Sequence, residues 1–205
     1  MPNYNRDSRY MHPLLRDNLD AMLKTIQDKL PADIKAKVIS IHRTPAEQFE
    51  IFKKGRTFNG TKWEVTGTVF TSKDGYINKS RHNYLPATAF DIGLFKGTAY
   101  LPSNAGYKKV ELGAKLMDFT WGGTWVSPHD EPHIEIPLPK FELQSIEKDN
   151  GLIWQRYLKK DGTYNGALDG IFGPRSIDAL KASTNETERN VAAWDILFDK
   201  HGPNP

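Results

Sequence analysis

The chain has 205 residues, 38% hydrophobic and 26% charged, which is the balance of a soluble globular protein of one medium domain or a domain with a small appendage. It contains no cysteine, so disulfides, thiolate metal sites and a cysteine nucleophile are excluded, and any metal must be held by His and carboxylate groups. The net charge of +3 falls entirely within the first 149 residues, because seven Lys/Arg balance seven Asp/Glu from Asn150 onward. A mildly basic body of this kind is steered toward an anionic polymer but lacks the arginine-rich stripe of a nucleic-acid binder.

The N-terminal Met1-Pro2-Asn3-Tyr4-Asn5-Arg6 is polar, without the apolar core of a signal peptide, and no stretch approaches a membrane span. The expectation is a product made in the cytoplasm, without membrane insertion, that reaches any external site only after release. Pro13 opens an expected helix whose Leu15, Leu19, Met22, Ile26 and Leu30 form one apolar stripe ended by Pro31. Lys37 to His42 reads as a short strand. Thr44-Pro45-Ala46-Glu47 combines a capping box with proline at the first helical position, predicting a helix to Lys54 that stops at Gly55.

Residues 56 to 86 are polar and turn-rich, with a candidate strand at Val65–Phe70 and a turn at Ser72-Lys73-Asp74-Gly75. Phe90 to Leu94 reads as a buried strand, Val110, Ala114 and Met117 as a helix, and His133 to Ile136 as a last strand. The irregular alternation of helices and strands indicates an α+β fold rather than a parallel sheet. A linker is expected within 137–150, placed at 141–150. A small three-helix domain is expected at 151–205, with a short helix from Trp154, one from about Arg175 and one from about Glu188 to Lys200.

Three segments carry candidate chemistry: Ser80-Arg81-His82-Asn83-Tyr84, Ala89-Phe90-Asp91 and Asp130-Glu131-Pro132-His133. A catalytic zinc takes three protein ligands and leaves a fourth position for water, and two imidazoles with one carboxylate supply such a set without cysteine. Zinc lowers the pKa of bound water to about 7, and a nearby carboxylate can shuttle its remaining proton to a leaving amine. Arg43, between the first strand and the capped helix, can place a fixed positive charge at the reacting carbonyl or a substrate carboxylate. Each residue also has a plainer reading. His82 can be a loop histidine, Asp91 can be paired with no more than an arginine, His133 and Glu135 can be a polar strand face, and Arg43 can be a surface ion-pair former.

Taken together and in order, these motifs resemble the zinc D,D- and L,D-type peptidases. That family includes D-alanyl-D-alanine carboxypeptidases, dipeptidases and phage L-alanyl-D-glutamate endopeptidases (the M15-like peptidases). The resemblance rests on Ser80-Arg81-His82, Ala89-Phe90-Asp91 and Asp130-Glu131-Pro132-His133. Arg43-Thr44-Pro45-Ala46-Glu47-Gln48 and Trp121-Gly122-Gly123-Thr124-Trp125 point to its endopeptidase branch. It covers roughly residues 8 to 137 and implies a small antiparallel sheet with flanking helices around a zinc site, in a catalytic domain at 1–140. It also implies Zn2+ held by His82, Asp91 and His133, Asp130 as general base, Arg43 holding substrate, and Ser80 hydrogen-bonding nearby.

The implied activity is hydrolysis of the peptidoglycan stem peptide at the L-alanyl-D-glutamate bond, as a monomeric phage endolysin. The alternatives are a D-alanyl-D-alanine carboxypeptidase and a wall-binding protein that has lost activity. Within the acidic segment, Glu131 is the alternative base and His129 an alternative ligand four residues before His133, although Pro128 and Pro132 argue against the helix that this spacing would need. The sequence departs from the family pattern at Ala87, where glycine is usual and a positive φ would be strained. It departs again at Thr124 in place of an acid, and in a longer Val65-to-Ser80 segment that suggests a flap. Beyond the expected linker, Gln155-Arg156-Tyr157-Leu158, Gly162, Asp169-Gly170-Ile171-Phe172-Gly173-Pro174-Arg175-Ser176 and Ala179-Leu180 resemble small three-helix peptidoglycan-binding modules. There Tyr164, Asp169 and Phe172 are candidate glycan contacts or structural residues.

Overall fold

The computed structural model describes residues 5–102, 105–137 and 143–205. They divide into two compact units, Met1–Ile136 and Pro137–Pro205. Among the described residues no helix is long and apolar enough to cross a membrane.

In the first unit the apolar stripe from Leu15 to Leu30 is buried as expected, but it is split between two helices, α1 (Pro13–Arg16) and α2 (Leu19–Gln27), with Leu30 in the turn that follows. The break has a local cause. The Asn18 side-chain amide donates to the Leu14 carbonyl at 2.8 Å, taking the acceptor that a continuous helix would give to a backbone N–H. Strand β1 (Ile34–Ser40) starts three residues earlier than expected, because Lys35 and Lys37 alternate with half-buried Ile34, Ala36 and Val38 on an edge strand. Helix α3 (Pro45–Lys53) has the expected capping box, in which Glu47 N–H donates to Thr44 Oγ1 and Thr44 N–H to Glu47 Oε2. It ends before Gly55, whose φ of +72° suits glycine.

The strand expected at Val65–Phe70 is displaced. Strand β2 (Arg56–Phe58) pairs with β3 (Trp63–Val65) as a hairpin. Its turn is built on Asn59-Gly60, where Gly60 has φ +94° and Asn59 Oδ1 accepts from the N–H groups of Thr61 and Lys62. That Asn-Gly pair is the signal that would have placed the hairpin.

The main sheet is antiparallel throughout, with order β1, β4 (Ala89–Lys96), β7 (His133–Glu135), β6 (Thr120–Trp121), and β5 (Ala99–Leu101) pairs with the far end of β4. Alternation along β4 turns Phe90, Ile92 and Leu94 to one face and Asp91 to the other. Helices α2 and α4 (Tyr107–Leu116) pack closely because Gly113 leaves room for Ile26 and Met22. A Cβ there would lie 2.7 Å from Ile26 Cγ1. This is the expected α+β architecture of a small antiparallel sheet with flanking helices.

The second unit contains α5 (Leu143–Lys160), α6 (Pro174–Thr184) and α7 (Val191–His201). The linker expected at 141–150 is helical from Leu143, so α5 is a long helix rather than a short one from Trp154, and residues 141 and 142 lie outside the described residues. The reason is burial: Ile146 and Asn150 are already inside the unit, about two turns and one turn before Trp154. Trp154, Tyr157 and Trp194 form the aromatic centre, with Trp154 and Trp194 ring centres 5.1 Å apart, edge to face.

Candidate metal centre

The three ligand candidates arrive from three elements. Asp91 on β4 and His133 on β7 are direct cross-strand partners, so the sheet register alone puts their side chains side by side. His82 sits in a 3-10 turn, Arg81–Asn83, that Ser80 caps through its hydroxyl. Asn83 holds this turn against the end of β1, donating to the Arg43 carbonyl at 2.9 Å. Ser80 therefore shapes the turn that presents His82. Ala87 needs no positive φ. It is a buried extended residue bridging to Met11, with its N–H donating to the Tyr10 carbonyl at 2.7 Å, so the expected strain is absent.

His82 Nε2, His133 Nδ1 and Asp91 Oδ1 form a nearly equilateral triangle with edges of 3.2, 3.2 and 3.3 Å. Donors bound at about 2.0–2.1 Å around a tetrahedral ion stand about 3.3 Å apart, so the triangle fits a zinc-sized ion with a fourth position open. All three residues are buried, and they are the one group among the described residues whose donors could hold a metal.

Each donor is oriented from behind. His82 Nδ1 donates to the Ile41 carbonyl at 2.7 Å, leaving the Nε2 lone pair for the centre. His133 Nε2 lies 3.1 Å from Glu135 Oε2, which turns Nδ1 inward, and Arg81 Nε stands 3.6 Å behind that carboxylate. Asp91 Oδ2 accepts from Arg43 Nη2, while Arg43 Nε donates to Ser40 Oγ at 3.0 Å and Nη1 to Gln48 Oε1 at 3.4 Å. The plainer reading of Asp91 as an arginine partner is thus also true, and the pairing fixes one carboxylate oxygen while the other faces the triangle. Glu135 and Arg81 belong to this machinery although neither stood out as a candidate. The signal for Glu135 was its place two residues after His133 on a strand, hence on the same face.

Electrostatics follow the geometry. Burial and the Arg43 charge hold the His82 imidazole below its ordinary pKa, in the neutral form a ligand needs. Burial pushes Asp91 up, but His82 and Arg43 more than offset it, so its carboxylate stays ionised well below the usual range. Burial lowers His133, yet hydrogen bonds to Asp91 and Glu135 raise it to about 9. Asp130, in the turn before β7, is raised to about 6 by burial and then by Asp91, which suits a group that must both take and give a proton near neutrality.

The competing residues stand aside. His129 is exposed and outside the triangle, and Glu131 places its carboxylate 3.9 Å from His129 Nε2. Buried His42, stacked on Tyr10, is pushed down to about 4 by burial. Gly122 lets the chain pass against the site. A Cβ there would lie 2.6 Å from the Asp130 carbonyl oxygen and 3.0 Å from His133 Cβ. Thr124, where an acid is usual in the resembled family, donates to the Trp121 carbonyl at 2.8 Å. The segment expected as a flap runs along the first turn of α3, where Gln48 Nε2 donates to the Lys73 carbonyl at 3.1 Å.

In the second unit, buried Gln155 is a hub. Its Nε2 lies within hydrogen-bond reach of the Tyr164 hydroxyl, Asp169 Oδ1 and the Ile171 carbonyl, and its Oε1 accepts from Gly170 N–H at 2.8 Å. Tyr164 and Asp169 therefore hold the loop, and Phe172 packs edge-on against Trp154. A cleft of about 380 Å³ lies between this loop and the start of α6, lined by Tyr164, Ala167, Asp169, Ile171, Arg175 and Ser176 among others.

An α+β domain here gathers two imidazoles and a carboxylate at a sheet register, a donor set that could hold a metal ion, with the Asp130 carboxylate close enough to feel Asp91 and His133. Comparison with known proteins points the same way. Residues 74–136 match the family model described as D-alanyl-D-alanine carboxypeptidase. The chain is 29% identical over 136 residues, 62% of its length and 73% of the relative's, to the peptidoglycan L-alanyl-D-glutamate endopeptidase CwlK of Bacillus subtilis (strain 168). A crystal structure of the Serratia marcescens L-Ala D-Glu endopeptidase ChiX matches with TM-score 0.44 and 18% identity, over 68% of this chain and 90% of that one. These likenesses support an M15-like peptidase as the reading of the first unit.

Proposed function

We propose that the protein is a zinc-dependent peptidoglycan endopeptidase that hydrolyses the L-alanyl-D-glutamate bond of the stem peptide. The observation that carries this reading is the donor triangle of His82, Asp91 and His133 with Asp130 beside it. The likeness to an enzyme named for that bond supplies the substrate. Zinc, when bound there, supplies Lewis-acid activation of water and of the scissile carbonyl. Asp130 takes the proton of the attacking water and delivers one to the amine of the leaving D-glutamate. Arg43 holds Asp91 in place and contributes a fixed positive charge for a substrate carboxylate or the reacting carbonyl. The second unit is a wall-binding module that keeps the enzyme on its polymer, with the cleft beside Arg175 as its contact region. In this reading the protein acts as a monomeric lysin, of endolysin type.

Digestion of purified peptidoglycan followed by mass spectrometry of the new termini tests the bond. New D-glutamate amino termini are expected, whereas release of free D-alanine would replace this reading with the carboxypeptidase. The His82→Ala variant should lose zinc and lysis together while still sedimenting with cell walls. Lysis that survives the substitution would remove His82 from the site.

A further inference from the structure

A second feature of the first unit lies outside the metal centre. Between Pro45 and Lys79 the chain carries six Lys/Arg against four Asp/Glu, an excess of two. The same segment gathers rings. Phe49 stacks on Phe52 and meets Trp63 and Tyr76 edge-on, each at 5.8 Å, and Phe58 lies 5.4 Å from Trp63. These rings do not close into a core. Phe58 is 50% exposed, Phe70 and Tyr76 58% each, and Ile77 90%. Cations sit among them, with Lys53 over Phe49, Arg56 over Phe52 and Lys54 over Phe70. Asp74 stiffens the loop by accepting from the N–H groups of Tyr76, Ile77 and Asn78.

We propose that α3, the β2–β3 hairpin and the 66–79 loop form a glycan-contact surface on the peptidase unit, taking the sugar backbone of the polymer whose peptide the metal centre cuts. This rests on the function proposed above, since a stem-peptide cutter always meets its bond attached to a glycan strand. A pyranose ring offers C–H groups on its faces, which suit the negative face of an exposed aromatic ring. Stem peptides carry carboxylates along the strand, which suit the surplus of Lys and Arg. One side chain joins this surface to the catalytic machinery: Gln48 donates to the Lys73 carbonyl at 3.1 Å and accepts from Arg43, the partner of Asp91. Sugar bound on the rings would therefore lie on the element that also positions the site.

The test compares two substrates with the full chain and a Phe58→Ser, Phe70→Ser, Tyr76→Ser variant. The KM for polymeric peptidoglycan should rise about tenfold, while cleavage of a glycan-free stem peptide stays at the wild-type rate. Equal losses on both substrates, or no loss on the polymer, overturn the proposal and leave the surface to another partner. If the variant fails to fold, single Phe58→Ser and Tyr76→Ser variants serve the same comparison. Wild-type protein that cuts neither substrate would refute the proposed function, so a binding measurement stands apart from it. Titration of the full chain with peptide-free glycan strands should shift amide resonances within residues 49–79. Shifts confined to the second unit refute the surface.

Discussion

At the scale of single residues, the positions behind the donor triangle set which atom faces its centre. Glu135 holds His133 by Nε2 and so presents Nδ1, the atom 3.2 Å from both His82 Nε2 and Asp91 Oδ1. A Glu135→Gln variant should keep its fold by circular dichroism and lose about 10- to 100-fold in metal affinity, measured by competition with a chelator. Unchanged affinity would reduce Glu135 to a partner of Arg81. Asp130 makes a separate prediction. Its pKa is raised to about 6, so it keeps its proton below that pH and serves as a base only above it. Activity should therefore rise with pH on an acid limb at about 6, drawn lower by a bound cation. Asp130→Asn should keep the metal, lose about 10²- to 10⁴-fold in kcat, and lose that limb. A limb that persists in the variant would move the base to another group.

Among the elements, the Trp-Gly-Gly turn shows how a motif acts through space it leaves empty. Gly122 has an ordinary φ, so its constraint is steric: the Asp130 carbonyl and His133 Cβ occupy the room a side chain would need. Gly122→Ala should displace both residues, lowering metal affinity and activity at least tenfold, at a stability cost of about 1–3 kcal/mol seen as a lower Tm. A variant with normal zinc affinity would mean that the turn yields freely. The same logic joins the helices of the second unit. A Cβ on Gly151 of α5 would lie 2.1 Å from the Gly170 carbonyl oxygen, and one on Gly170, at φ +74°, would lie 2.2 Å from that of Lys148. The Asp169-Gly170 turn thus seats directly on α5 and needs no other residue type at either contact.

For the molecule as a whole, the division at Ile136 and Pro137 makes each unit a candidate for independent folding. On the proposed function, a fragment of residues 1–137 should bind zinc and cleave a soluble stem peptide at the rate of the full chain, yet work more slowly on intact walls, where the proposed binding module would raise the local concentration. Loss of zinc binding on truncation would show that the two units fold as one.

Local chemistry by itself determined much of this protein. The Thr44 capping box, the buried stripe from Leu15 to Leu30 and the alternation of β4 follow from short-range rules. The candidate site was legible as three short motifs through their ordered resemblance to a family pattern, since each residue taken alone also had a plainer reading. The start of α5 was not legible, since a polar segment becomes helical there by burying Ile146 and Asn150 against distant residues. The hairpin could have been found from Asn59-Gly60, yet its neighbours lacked clear alternation. What only the tertiary structure decided is the convergence of the site. Residues 82, 91 and 133 meet because β4 and β7 pair in one register and the end of β1 fixes the His82 ring. The roles of Glu135, Arg81 and Gly122 exist only in that register, because strand pairing is a long-range choice that sequence spacing does not encode.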